Sequence, residues 1–223
     1  MKTKALLFLA ALALPFTAAA KEKTVELKVE MPPVLLIGTP TPINVKNLES
    51  GDAAKKRTSI QVPEGTVNLA KGKTVTSSDK YPIVGDLEYV TDGDKDADEG
   101  YEVELAPGLQ WVQIDLAKES DIYAVAVWHF HRQKRLCRSV IVQLSTEPEF
   151  KNGVTTIFNT DYEDSAKLGL GAGKDLAYIE TNEGRVIPAN GTKARYVRLY
   201  SNGSTSSTGN HYVEVEVFGK AAK

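Results

Sequence analysis

Apolar residues return at every second position, segment after segment, through the C-terminal two thirds of this chain, and no useful stretch repeats them at helical spacing. Val112, Ile114 and Leu116 share one face of their segment, and Trp111, Gln113 and Asp115 share the other. The same alternation runs through Ile122, Ala124, Ala126 and Trp128, through Val140, Val142 and Leu144, through Arg195, Val197 and Leu199, and through Val213, Val215 and Val217. Only an extended strand sends alternate side chains to one side, so each segment predicts a strand with a buried face. The segments are short and separated by Gly, Asn, Asp and Ser. That pattern predicts an all-β fold, an antiparallel jelly-roll β-sandwich, with no internal repeat.

The N-terminal part is different. Lys2 and Lys4, the apolar run Ala5 to Leu14 and then Ala18-Ala19-Ala20 have the build of a cleavable secretory signal over residues 1–20. Its apolar core is too short to span a bilayer, so the expectation is an exported protein, periplasmic, cell-surface or extracellular. Residues 21–65 carry Pro32, Pro33, Pro40, Pro42 and Pro63 around one alternating stretch, Val25 to Glu30. Proline removes a ladder donor, so this reads as an irregular N-terminal arm with one edge strand, ahead of a sandwich domain over 66–220. Removing the leader takes 27 basic residues to 25 against 29 acidic ones, a balance of about −4 that argues against nucleic acid as a partner. The chain has one cysteine, Cys137, and therefore no internal disulfide. A free cysteine at the start of a strand is expected to be a small buried apolar residue.

Three motifs occur in a telling order. An acidic turn, Asp92-Gly93-Asp94, precedes Trp111-Val112-Gln113-Ile114-Asp115-Leu116, and the chain closes on Glu214-Val215-Glu216-Val217-Phe218-Gly219. From about Val67 to Gly219 the chain resembles the discoidin (factor V/VIII type C) domains of the galactose-binding-like group, and it is similar to family-32 carbohydrate-binding modules. The phrases WHFHR, FNTDY and NHYVEVEVFG further resemble secreted bacterial discoidin-domain proteins. Animal discoidin domains commonly tie their ends with a disulfide, which a single cysteine forbids, so the bacterial sugar-binding branch fits better. The resemblance implies a five-on-three sandwich that binds through loops at one end and does not catalyse. Related domains bind sugars, phospholipids or proteins on one scaffold. Here the loop tips read DKDADEG, RQKR and SNGSTSSTG, which are too polar to insert into lipid. A glycan or glycoconjugate is therefore the expected partner, and a protein–protein or cell-envelope contact is the alternative.

The acidic run from Asp92 to Glu99 is rich in hard oxygen ligands of the kind calcium takes. An EF-hand is excluded, because its sixth position is Ala97 and its twelfth Val103. The family resemblance implies instead a structural calcium held by Asp92, Asp94 or Asp96, and Glu214, with a simply solvated acidic loop as the plain alternative. For the ligand, the resemblance points to the loop after Trp128, where His131, Arg132 and Arg135 are the candidate donors. Trp128 itself continues an inward row and belongs to the core. Glu99, which ends the acidic run, Tyr101 just after it, and Asp161 and Tyr162, in a long glycine-rich loop, complete the candidate ligand set. That loop is no phosphate loop, since Leu168 precedes Gly173 by five residues and Asp175 follows Lys174. One enzymatic alternative stands, a zinc site made by His129, His131 and His211. The cations Arg132, Lys134 and Arg135 oppose it.

Overall fold

Among the described residues ten strands, all paired antiparallel, carry the fold, and two of them are unusually long. The computed structural model describes residues 22–38, 42–50 and 60–221, so the expected leader over 1–20 lies outside it. In chain order the strands are β1 (Thr24–Glu26), β2 (Gln61–Pro63), β3 (Val67–Asn68), β4 (Thr74–Ser77), β5 (Val103–Leu105), β6 (Gln110–His129), β7 (Ile141–Ser145), β8 (Thr155–Asn159), β9 (Arg185–Ser201) and β10 (Asn210–Ala221). A five-residue 3-10 turn, Leu87–Thr91, leads into the acidic loop. Among the described residues no helix is long and apolar enough to cross a membrane.

β6 and β9 each bend and so contribute a half to each sheet. Their pairing jumps from Asp115↔Tyr196 to Ser120↔Ala194, with Ala117 in the left-handed region at φ 68°. β9 has its own irregularity between Pro188 and Thr192, where Asn190 and Gly191 also take positive φ. Such insertions sharpen local twist and turn a strand from one layer to the other. The first half of β6 and the second half of β9 lie between β4 and β7–β8, which makes a five-stranded sheet. The second half of β6 lies between β10 and the first half of β9, which makes the three-stranded sheet, with β3 and β5 as short additions to β10. The expected five-on-three sandwich is the observed one.

The sandwich core draws on both layers. Val112, Ile114, Val142, Leu144, Val197 and Leu199 from the larger sheet pack with Ile122, Val125, Val127, Ile187, Val215 and Val217 from the smaller. Three details of the alternation differ from expectation. A register shift between Ile122 and Ala124 sends Ile122 inward while Ala124, Ala126 and Trp128 face out of the three-stranded sheet. A shift between Tyr212 and Glu214 likewise separates Val213 from Val215 and Val217. Arg195 sits at the bend, and its guanidinium grips Asp115 through two 2.8 Å hydrogen bonds.

The outward row needs a cover, and the arm supplies it. β1 pairs with β2, and Leu27 and Val62, with Val25, Val29 and Ile60 beside them, pack on Ala124, Ala126, Trp128, Val186, Val213 and Phe218. Fully burying one such aliphatic side chain contributes about 1.5–3 kcal/mol. The arm is thus a layer of the fold, and its prolines at 32 and 33 carry the chain onward toward the acidic loop, where Pro32 accepts from Asn182 Nδ2 at 2.8 Å.

Because both long strands bend back, their register gathers one set of strand ends. Gln110 pairs with Ser201, Tyr200 with Ile141, Ile141 with Asn159, Val127 with Arg185 and His129 with Tyr212. The loops 78–102, 130–140, 160–184 and 202–209 all leave from that end.

Candidate functional site

Hydrogen bonds knit these loops together. Arg138 N donates to Gly203 O at 2.9 Å, Leu136 N to Thr205 Oγ1 at 3.1 Å, and Ser139 Oγ to Asp161 Oδ1 at 3.1 Å. His131, nearly fully buried, donates from Nε2 to the Lys95 carbonyl at 2.8 Å and so ties the 130–140 loop to the acidic loop. Burial holds the His131 pKa below its usual value, against that hydrogen bond and nearby carboxylates. Arg132 pairs with Asp98. Arg135 is only 5% exposed, lies 4.5 Å from the Phe130 ring centre and bonds Gln133 Oε1, so its guanidinium faces inward. Trp128 is wholly buried and donates from Nε1 to Asn182 O at 2.9 Å, as expected of a core residue. Glu99 is exposed, and Tyr101, 64% exposed, stacks on Tyr89 with centroids 6.3 Å apart.

A cavity of about 320 Å³ opens where the arm meets the loops. Asn44, Lys46 and Asn47 form one wall, and Arg138, Tyr162 and Glu163 face them. Tyr162 is half exposed, with a ring available to the cavity. Asp161 shapes the rim: burial pushes its pKa up, but the Ala166 amide and the Ser165 and Ser139 hydroxyls outweigh this and hold it below the usual value. Of the expected ligand residues, Asp161 and Tyr162 therefore meet at this cavity, while His131, Arg132, Arg135, Glu99 and Tyr101 lie on the neighbouring loops outside its lining. Asn44, Lys46 and Asn47 were not legible as ligand contacts, because only the path of the arm brings them here.

The acidic loop is built from successive Asx turns. Asp92 Oδ1 accepts from Asp94 N at 2.8 Å, and Asp94 Oδ1 from Asp96 N at 2.9 Å. The last strand reaches under it: Gly93 N donates to Glu214 Oε2 at 3.1 Å. Glu214 is completely buried, and its Oε1 has no hydrogen-bond partner. Burial, with Glu216 and Asp92 adding negative charge, pushes its pKa up to about 9 against the Gly93 amide and Lys95. Lys95 Nζ pairs with Glu216 Oε1 at 2.8 Å and lies 5.0 Å from the Trp128 ring centre. The residues present fit an oxygen-liganded cation: an orphaned carboxylate oxygen of Glu214 lies under the turn that begins at Asp92.

The three histidines do not assemble into one metal site. His131 is committed to Lys95 O, His129 Nδ1 lies 3.0 Å from Glu180 Oε1, and His211 Nε2 lies 3.5 Å from Glu104 Oε1. Burial first, then the nearby Arg135 and His129, lower the His211 pKa to about 4. The alternation that puts His129 and His131 on one strand face ends with β6 at His129, and the two rings take different partners. Glu180, in a loop with no motif, was invisible to sequence reasoning.

No protein-family profile and no curated relative matches the sequence. Among solved structures, the fold matches part of a family 89 glycoside hydrolase from Clostridium perfringens, solved with its substrate GlcNAc-alpha-1,4-galactose, at 16% identity and a TM-score of 0.51. That match covers 70% of this chain, which spans about 15% of the hydrolase. A fucose-binding module of Streptococcus pneumoniae is 16% identical over 68% of this chain and 96% of its own, with a TM-score of 0.47. The CBM32 of AlyQ, in complex with 4,5-unsaturated mannuronic acid, is 19% identical over 65% of this chain and 93% of its own, at 0.46. With its five-on-three antiparallel order and its loops gathered at one end, the chain has an all-β jelly-roll sandwich fold, shared with that part of the family 89 hydrolase.

Proposed function

We propose that this chain is an exported, non-catalytic glycan-binding module that takes its ligand in the cavity between the arm and the 130–140 and 160–184 loops. The observation that carries the reading is the cavity's make-up: amide, ammonium, guanidinium and carboxylate groups converge around one half-exposed tyrosine. Hydroxyl-rich sugars need such mixed donors and acceptors, and an aromatic face suits their C–H surface. Asp161 is saturated by its framework bonds, which leaves Glu163 as the free carboxylate of the lining and favours binding over the paired-carboxylate chemistry of a glycosidase. A structural calcium at Glu214 and Asp92, completed by Asp94 or Asp96 and loop carbonyls, would fix the acidic loop and, through Lys95 and His131, the 130–140 loop beside the cavity.

A screen of the purified chain on a glycan array, with calcium and with chelator, tests this. The expected result is binding to a defined glycan class that Tyr162→Ala and Lys46→Ala abolish with the fold intact. Binding unaffected by both variants would put the site elsewhere. A protein partner is the second reading, favoured by four consecutive exposed apolar residues of the arm, Val34 to Ile37. A blank array from well-folded protein would move the weight there.

A further inference from the structure

We infer that His129, Cys137 and Glu180 form a second metal site, for one divalent transition-metal ion of the zinc class, buried beneath the cavity. Their ligand atoms lie within 4.8 Å of one another, the one such group of three or more among the described residues. The donors come from rigid places. His129 ends β6, Cys137 bridges to Ser204 across loops, and Glu180 is anchored by its own amide to Arg135 O at 2.9 Å.

The cluster is incompletely satisfied by itself. His129 Nδ1 and Glu180 Oε1 lie 3.0 Å apart, but His129 Nε2 and Glu180 Oε2 are buried with no hydrogen-bond partner. Buried polar atoms left in that state cost about 1–3 kcal/mol each, so native structures rarely keep two together without a purpose. Zinc accepts thiolate, imidazole and carboxylate at about 2.0–2.3 Å, so tetrahedral ligands sit roughly 3.3–3.7 Å from one another. Donors already within 4.8 Å need only a small closure.

The chemistry separates this site from the acidic loop. A thiolate selects a borderline or soft ion and disfavours calcium and magnesium. In the metal-free protein burial raises the Cys137 pKa well above its usual value, so the thiol is held protonated. Binding exchanges that proton for the metal: the S–H bond breaks, the S–metal bond forms, and the proton leaves to solvent. One thiolate and one carboxylate then balance the ion's two charges, which suits a buried position. Arg135 and Arg138 are the nearby opposing cations, but Arg135 also faces Glu102 and Glu104, and Arg138 is held by the Ser204 carbonyl. Cys137 lines the cavity, which gives the ion a path from solvent, and water is left for the fourth position.

Cobalt(II) is the probe. The full chain is refolded under reducing conditions with one equivalent of Co2+, and its absorption spectrum is recorded. Expected are one bound ion and a near-ultraviolet thiolate-to-cobalt charge-transfer band, displaced by Zn2+ and untouched by excess Ca2+. Because the chain holds a single cysteine, that band assigns the ligand even if no variant folds. Cys137→Ala should remove the band, and Glu180→Gln should weaken Co2+ binding by at least the roughly 10–100-fold that loss of a supporting partner costs. Folded wild type without the band, or Co2+ binding undiminished in Cys137→Ala, overturns the assignment.

Discussion

Replacing Glu214 with glutamine separates the two states that a buried carboxyl can adopt in this loop. In the metal-free protein its pKa is pushed up to about 9, from 4.5 for an ordinary glutamate. Below about pH 4.5 the carboxyl is protonated both folded and unfolded and has no effect on stability. Between pH 4.5 and 9 the unfolded chain releases the proton while the folded chain keeps it, so stability falls as pH rises. At pH 7 this amounts to about 3 kcal/mol, since each pH unit above 4.5 is worth roughly 1.4 kcal/mol. Glutamine is neutral and isosteric and can still accept from the Gly93 amide, so Glu214→Gln removes the penalty. In chelator at pH 7 the variant should melt higher by roughly 6–12 °C, with the difference vanishing near pH 4. The proposed calcium would require the ionised form, so its affinity for the wild type should rise about tenfold per pH unit between 6 and 8 with release of one proton. Calcium should not stabilise the variant. Thermal melts across pH, with and without calcium, read both effects. A variant less stable than wild type in chelator at pH 7, or a difference that does not change with pH, would refute the reasoning.

Other perturbations probe the arm, the loop end and the acid limit. Leu27→Ala, which thins the cover over Trp128 and Ala126, should cost about 2 kcal/mol in urea unfolding, whereas a detached arm would show no change. Gly184 has φ 60° and a Cβ there would lie 2.6 Å from Trp128 Cε2 and 2.8 Å from Val127 O, so Gly184→Ala should lose at least about 2 kcal/mol by the same assay. His211, with its pKa lowered to about 4, stabilises the fold above pH 6.5 and loses that contribution as pH falls toward 4. His211→Gln should therefore flatten the acid side of the stability profile by up to about 3 kcal/mol, and an unchanged acid slope would contradict the buried neutral ring.

Much of this architecture was legible in the residues because sandwich strands write their burial into alternation. Val112, Ile114 and Leu116 are inward as read, and Trp128 is core. The errors occur where a bulge shifts the phase. A period of two carries no mark of the extra residue at Tyr123, so Ile122 was placed with Ala124 although they face opposite layers. The packing of the arm left no periodic trace for a related reason: five prolines signal poor strands, but Leu27 and Val62 need only to be apolar to cover a sheet face, and their partners lie far along the chain. The site was harder still. Glu214 could be tied to the acidic turn through a family pattern, whereas Glu180, Lys46 and Asn44 reach their places through loop paths that leave no periodic trace. Arg135 reads as a surface donor by composition, and only the position of the Phe130 ring shows why it turns inward.

The distribution of polar burial across the sandwich explains why one end can hold so many chemical groups. At the opposite end β6 and β9 pass from layer to layer without breaking, so the inter-sheet core stays apolar from Ile114 to Ile122 and from Ala189 to Val197. Continuous strands satisfy most of their own backbone there, and side chains meet only the groups freed at the bulges, as Asp115 Oδ1 accepts from Ala117 N at 2.8 Å and Thr192 Oγ1 donates to Ala189 O at 2.6 Å. At the loop end every strand stops, and the released backbone groups are met by side chains: His131 on Lys95 O, Thr205 on Leu136 N, Asn210 Nδ2 on Ala106 O and Gly108 O at 2.8 and 3.0 Å. Once such polar residues are buried, their remaining atoms compete for partners in a dry setting, which is how Glu214, His129 and Glu180 come to hold orphaned atoms. Those atoms sit at the margin of the apolar core, where a bound cation or ligand can complete them with little movement of the strands. Substitutions at the bends, far from the cavity, should therefore change melting temperature while leaving cavity affinity in place.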